Sequence, residues 1–199
     1  MNVENLGRTE RGSLLALARE TLERHLAGRH PPTPPATPAV LLEPRATFVT
    51  LTVARSGELR GCRGEIAARH PLAESVIRMA IASATDDPRF PPVTAGEVPH
   101  LHIEISVLTP LEPIAPEAVE VGRHGLYLSL GGRAGLLLPQ VPGDYGWSRK
   151  QFLAHTCRKA GLPDDAWRHP AAKLYGFECE VFGEEESRLD DRPREPTTT

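Results

Sequence analysis

The sequence has few cysteines, no excess of basic residues and no long apolar run, and each absence excludes a class of protein. Its three cysteines stand far apart in 199 residues, with no C-x-x-C pair. This spacing argues against a disulfide framework and a structural zinc site. No apolar run approaches the length that spans a bilayer, and residues 1–5 lack the basic and apolar regions of a secretory leader. We therefore expect a soluble, cytoplasmic protein.

The charge balance disfavours nucleic acid as a partner. The formal net charge is −3 and the isoelectric point is near 6.2, whereas nonspecific nucleic-acid binders carry a basic surface. Arginines outnumber lysines 20 to 3, and there are 20 prolines. That composition is typical of GC-rich codon usage, so a single arginine is weak support for function. Hydrophobic residues make up 40% of the chain, which is enough for the core of one domain or two small lobes.

The pattern of apolar residues predicts helices and hairpin-connected strands. We predict helices over 9–27, 71–84 and 149–160, and strands over 46–53, from Leu59, and over 101–108, 125–130, 134–138 and 174–182. This order is typical of an α+β fold with a mainly antiparallel sheet flanked by helices. Residues 1–183 are expected to form a single domain with two lobes. Residues 184–199, charged and then rich in proline and threonine, are expected to be a disordered tail.

Cys62 stands between two glycines, in the segment 59–64, just after the first strand-like run. A nearby arginine favours the reactive thiolate form of a cysteine. Gly61 and Gly64 would let backbone N–H groups face a substrate. Strand alternation sets Arg60 on the same face as Cys62 and Arg63 on the other, so Arg60 is the predicted charged partner. The alternative is a half-buried structural cysteine in a hairpin whose glycines mark a bulge.

A catalytic thiol needs a base, and His124 is the best candidate among eight histidines. It lies in a glycine-containing loop before a strand, where functional residues concentrate. Gln140, at a strand end after a proline, would donate to an oxyanion or orient His124. The alternatives are a loop histidine bonded to the backbone and a glutamine that caps a free backbone group. Nothing in the sequence places Cys62, His124 and Gln140 together.

A second polar cluster lies between a predicted helix end and a proline-rich loop. Asp87 and Arg89 are candidates for substrate binding, and Asp86 adds a second carboxylate for acid–base work. The simpler interpretation is that capping and an ion pair tie down the loop.

Two further groups have structural interpretations. His100, His102 and Glu104 share a strand face at a spacing that suits zinc or iron, but a solvated face of an antiparallel strand explains them better. We predict no metal and no cofactor. The aromatic residues are interpreted as packing rather than as a stacking platform: Trp147, Phe152, Trp167 and Phe177.

Seven segments fall in an order that resembles a known family. They are residues 48–51, 59–64, 87–92, 105–108, 122–126, 135–141 and 159–162. The chain is identified from them as resembling the AMMECR domain family, known in prokaryotes as AmmeMemoRadiSam system protein A. The resemblance covers residues 10–183 and includes Cys62, Asp87, Arg89, His124 and Gln140.

The resemblance implies a two-lobed α+β fold and no settled biochemical activity. Prokaryotic members occur with a Memo-type protein, similar to extradiol dioxygenases, and with a radical SAM protein. These two are the implied partners, in a modification or cofactor pathway. The family usually has an aliphatic residue where this chain has Arg63, so a functional charge is not expected at that position.

Two classes of function remain open from the sequence. The leading hypothesis is an enzyme or enzyme component with a pocket centred on Cys62, acting on a small anionic or acyl-type substrate. The alternative is a non-catalytic module that binds protein or RNA, in which the segment 59–64 is structural. A small-molecule carrier is a third option.

Overall fold

Four α-helices and eight strands make up the part of the chain that the structure describes, residues 6–34 and 38–184 of a computed structural model. The helices are α1 (Arg8–Leu26), α2 (Leu72–Thr85), α3 (Val141–Asp144) and α4 (Arg149–Lys159). The strands are β1 (Thr47–Val53), β2 (Leu59–Gly64), β3 (Leu101–Leu108), β4 (Glu112–Pro113), β5 (Gly125–Leu130), β6 (Arg133–Leu137), β7 (Lys173–Phe177) and β8 (Cys179–Gly183). The predicted α+β class is confirmed, with two four-stranded sheets.

The described chain divides into two compact units. Unit 1 runs to Val107 and resumes at Glu180, and unit 2 is Leu108–Cys179. The predicted boundary at residue 183 stays a prediction. No helix in the described ranges is both long and apolar enough to cross a membrane.

Unit 1 is a sheet of order β2-β1-β3-β8 with α1 and α2 in one hydrophobic core. β1 pairs antiparallel with both β2 and β3. The predicted strand 101–108 is confirmed, and Ile103 and Ile105 are fully buried, as the alternation requires. Val49 and Leu51 of β1 join the same core. The intervening residues of β1 and β2, including Thr50 and Cys62, therefore lie on the opposite face.

Unit 2 is a sheet of order β4-β7-β5-β6 that packs with α4. β5 and β6 form the predicted hairpin through Gly131 and Gly132, whose φ angles are 59° and 79°. Two positive φ angles in a two-residue turn suit glycine and match the twist of the strands. The predicted capping box of α4 is confirmed, with Ser148 and Gln151 bonding reciprocally.

The predicted single strand 174–182 is wrong, because the structure has two strands there in different sheets. β7 joins the sheet of unit 2 and β8 joins that of unit 1. Between them, Glu178 donates its backbone N–H to Thr109 Oγ1 over 2.8 Å and accepts the N–H of Thr109 over 2.9 Å. Alternation of apolar residues continues across this break, so periodicity gives no sign of the change of sheet.

Glu184, the first residue of the predicted tail, is also the last residue that the structure describes. The Glu184 carboxylate accepts hydrogen bonds from Arg19 Nε at 2.9 Å and from the backbone N–H of Ile103 at 3.0 Å. Glu184 is therefore held by α1 and β3. Residues 185–199 of the predicted tail lie outside the described residues.

Candidate functional site

Cys62 lies on β2 directly opposite Thr50 of β1, on the face of the sheet that points away from the core. Thr50 Oγ1 donates to Cys62 Sγ over 3.4 Å, within the longer range of a bond to sulfur. Thr50 in turn lies opposite Glu104 of β3, so Cys62, Thr50 and Glu104 form a row across three strands. Cys62 is half-buried and is a free thiol. Sγ thus has a hydroxyl donor and partial access to solvent.

The two glycines that flank Cys62 are needed for close packing. A Cβ on Gly61 would lie 2.1 Å from the backbone carbonyl oxygen of Ser83 in α2, and one on Gly64 would lie 2.1 Å from the Phe48 ring. The backbone N–H groups between them already have acceptors, since that of Cys62 donates to Asp87 and that of Arg63 donates to Ser83 Oγ. The geometry therefore accounts for both glycines through packing, and their predicted contact with a substrate stays a prediction.

Asp87 joins the loop after α2 to the backbone of Cys62. Its buried Oδ2 accepts the Cys62 N–H at 2.9 Å and Arg89 Nη2 at 2.6 Å, and Oδ1 accepts Arg89 Nε at 2.9 Å. The hydrogen bond from Arg89 holds the pKa of Asp87 well below its usual range, against the effect of burial. One carboxylate oxygen thus binds both the Cys62 amide and the Arg89 guanidinium.

Arg89 is the arginine whose charge the structure sets next to Cys62. Hydrogen bonding to Asp87 raises the pKa of Arg89, and the thiolate of Cys62 contributes to the same shift. The Arg89 side chain is 54% exposed although Asp87 is 3% exposed. The guanidinium is therefore bound along one edge by Asp87 and is exposed to solvent elsewhere.

Arg60, the predicted charged partner, binds Glu97 instead. The register of β1 and β2 slips at this point, because Thr52 pairs with Leu59 while Leu51 pairs with Gly61, which leaves Arg60 in a bulge. Arg60 Nε donates to Glu97 Oε1 over 2.8 Å, and this bond lowers the pKa of Glu97 to about 2. The bulge breaks the alternation from which Arg60 and Cys62 were expected to share a face.

His124 and Gln140 belong to unit 2, whereas Cys62, Arg60, Asp87 and Arg89 belong to unit 1. His124 Nδ1 accepts the backbone N–H of Glu120 at 3.0 Å. In the neutral imidazole the proton therefore sits on Nε2, which makes that nitrogen a donor.

Gln140 precedes α3, and its backbone carbonyl accepts the N–H groups of Gly143 and Asp144. Its side-chain Oε1 is buried and accepts no hydrogen bond from the described residues. Gln140 thus caps the helix through its backbone, while the predicted roles of its side chain stay predictions.

In the described ranges, no three His, Cys, Asp or Glu side chains come close enough to hold a metal ion. His102 and Glu104 do lie on the outer face of β3, opposite Thr52 and Thr50. They are half-buried.

Sequence reasoning missed Thr50, Ser83 and Glu97, which complete the surroundings of Cys62. Ser83 Oγ donates to the Val49 carbonyl over 2.7 Å and accepts the Arg63 N–H, so it ties α2 to two strands. A signal was available only for Thr50, which alternates with Val49 and Leu51 and so had to face away from the core. Contacts of Ser83 and Glu97 depend on the tertiary fold.

Comparison with known proteins agrees with the two-sheet α+β fold. The AMMECR1 family profile matches residues 15–182. A protein from Thermococcus gammatolerans is 46% identical over 185 residues, 88% of this chain and 90% of its own length. Protein PH0010 from Pyrococcus horikoshii is likewise 46% identical over 185 residues, with the same coverage.

The crystal structure of uncharacterized protein PH0010 superposes with a TM-score of 0.82, covering 88% of this chain and 92% of that one. The fold and site thus define an α+β protein with a cysteine on an edge hairpin. The chain belongs to the AMMECR1 family.

Proposed function

We propose that the chain is an enzyme, or an enzyme component, that uses the Cys62 thiolate as a nucleophile toward a small anionic substrate. The observation that carries the proposal is the Asp87 carboxylate, which bonds the Cys62 amide and the Arg89 guanidinium at one oxygen. This bond fixes the Arg89 guanidinium near the half-buried Cys62, and the rest of the guanidinium is exposed to an approaching anion.

The reaction class that fits is acyl transfer. Cys62 Sγ attacks the acyl carbon, a C–S bond forms, and the bond to the leaving group breaks as that group takes a proton from solvent. Water then hydrolyses the thioester and restores the thiol. Arg89 holds an anionic group of the substrate, and the Thr50 hydroxyl stabilises the sulfur charge through its hydrogen bond.

Our proposal keeps the Memo-type and radical SAM proteins as partners, on the strength of the family resemblance. His124 and Gln140 stay candidate residues within unit 2, where His124 is arranged to donate from Nε2.

Site-resolved alkylation tests the proposal. We expect iodoacetate, an anionic reagent, to modify Cys62 more slowly in Arg89→Gln, because this substitution removes a positive charge that attracts an anion. Arg63→Gln is the matched control, because Arg63 is an exposed arginine adjacent to Cys62 in sequence. Equal rates in wild type and both variants, with unchanged melting temperatures, would contradict the proposal.

A binding module is the second candidate, favoured by the packing roles of Gly61 and Gly64. In that case the segment 59–64 stabilises unit 1, and the surface docks a partner. Pull-down with the Memo-type and radical SAM proteins separates the two. Complexes that survive Cys62→Ser, together with full activity of that variant in cells, favour the module and contradict the thiol mechanism.

A further inference from the structure

Unit 2 contains a cleft of about 610 Å³ between α4 and the segment that follows it, residues 164–168. Its volume is in the range of sites for small molecules. Arg158 Nε of α4 donates to Asp164 Oδ1 over 2.6 Å, so helix and segment are tied together. The cleft is therefore preformed, and all its residues belong to one unit.

Two aromatic rings line the cleft, and each contacts a neighbouring side chain. The Trp167 ring has the Arg168 guanidinium 4.7 Å from its centroid. The His155 ring stacks on Trp147 with centroids 3.7 Å apart and planes 7° apart. Trp147 in turn stacks on Tyr145 at 5.0 Å. Rings fixed this way lose little conformational entropy when a planar ligand stacks on them.

Three charged side chains of the cleft lining form no ion pair within the described residues: Lys150, Asp165 and Arg168, the last of which lies over the Trp167 ring. Arg158 and Asp164 neutralise each other. Lys150, exposed in the first turn of α4, forms no ion pair or hydrogen bond with residues 6–34 or 38–184. The same holds for the Asp165 side chain. A lysine is a binder of phosphate, and a carboxylate accepts hydrogen bonds from amino and imino groups.

We propose that this cleft binds a purine nucleotide. The base stacks against Trp167, Asp165 accepts the donors on the edge of the base, and Lys150 binds the phosphate. The net charge of −3 favours a free mononucleotide over the end of an RNA strand, because RNA binding relies on an extended basic surface. All residues of this site belong to unit 2, whereas Cys62 belongs to unit 1.

Isothermal titration calorimetry of the full chain with guanosine monophosphate tests the proposal. We expect a dissociation constant on the order of 100 μM, with weaker binding of guanosine and of inorganic phosphate, each of which meets only part of the site. Trp167→Leu should weaken the binding of guanosine and of guanosine monophosphate by the same factor. Heat from inorganic phosphate equal to that from the nucleotide would overturn the role of the base.

The Lys150→Ala variant tests the phosphate contact separately from the contacts with the base. It should weaken binding of the nucleotide about tenfold and leave binding of guanosine unchanged. The matched control is Lys173→Ala, an exposed lysine of β7 in the same unit that does not line the cleft. Equal loss in both variants, or no binding of the nucleotide at millimolar concentration, overturns the proposal. Binding of an RNA decanucleotide without binding of any mononucleotide also overturns it, in favour of an RNA surface.

Discussion

At the scale of single residues, Asp87 organises the surroundings of Cys62. It is buried, it accepts the amide of Cys62, and it binds Arg89 through both carboxylate oxygens. The sequence does predict an ion pair in this loop. It does not predict that the same carboxylate reaches a strand 25 residues earlier, because that contact depends on how the loop returns over β2.

Asp87→Asn should destabilise unit 1 by about 2 kcal/mol, since hydrogen bonds to a charged group are worth about 1.5–3 kcal/mol. The amide group keeps the shape of the carboxylate but loses the charge that binds Arg89. Urea denaturation at pH 7 measures the change. Asp86→Asn is the control, because Asp86 is exposed and, among the described side chains, bonds only its neighbour Thr85. Equal losses of unfolding free energy in the two variants would contradict the stabilising role of the Asp87 carboxylate.

The Glu97 carboxylate makes the stability of the folded protein depend on pH in the acid range. Folding lowers the pKa of Glu97 from 4.5 to about 2 through the hydrogen bond from Arg60. Its contribution to stability is therefore fully present above pH 4.5 and is lost as the pH falls toward 2. We expect the unfolding free energy of Glu97→Gln to fall less steeply than that of wild type across this window. Arg60→Gln should reduce the pH dependence of the unfolding free energy in the same way. A pH dependence as steep as that of wild type in both variants would contradict the role of the Arg60–Glu97 pair.

At the scale of elements, the close approach of β2 to α2 explains why Gly61 has no side chain. Gly61→Ala should cost about 1–3 kcal/mol, the usual cost of overpacking, because the opposing atom is the backbone carbonyl of Ser83 and cannot turn away. Thermal melts measure the loss. Gly12→Ala in α1 is the control, since nothing lies within 4 Å of its added Cβ, and it should stabilise by about 0.5–1 kcal/mol. A stable Gly61→Ala protein would contradict the packing.

Local sequence patterns predict most of the helices and strands, whereas the features that were not predicted depend on tertiary contacts. A capping box predicts helix α4, and the alternation of apolar and polar residues predicts strand β3, because both patterns are local in the sequence. The bulge at Arg60 and the break at Glu178 were missed, since each depends on pairing with a distant segment. That limit is also why the ion pair of Arg60 with Glu97 was not predicted.

At the scale of the whole molecule, the three cysteines differ in burial. Cys62 and Cys179 are half-buried and Cys157 is fully buried. Burial raises the pKa of the Cys157 thiol, so it combines low access with little thiolate. We expect Cys157 to resist alkylation in the native protein and to react once urea unfolds the chain, while Cys62 reacts in both states. Peptide mapping by mass spectrometry checks this order, and rapid native modification of Cys157 would contradict it.

The central claim is that Arg89 presents a positive charge to whatever approaches the Cys62 thiol. The ratio of alkylation rates for iodoacetate and iodoacetamide tests it most directly. Both reagents meet the same thiolate fraction, so their ratio isolates the attraction of an anion. We expect this ratio to fall in Arg89→Gln and to stay unchanged in Arg63→Gln. A ratio that is the same in all three proteins would contradict it.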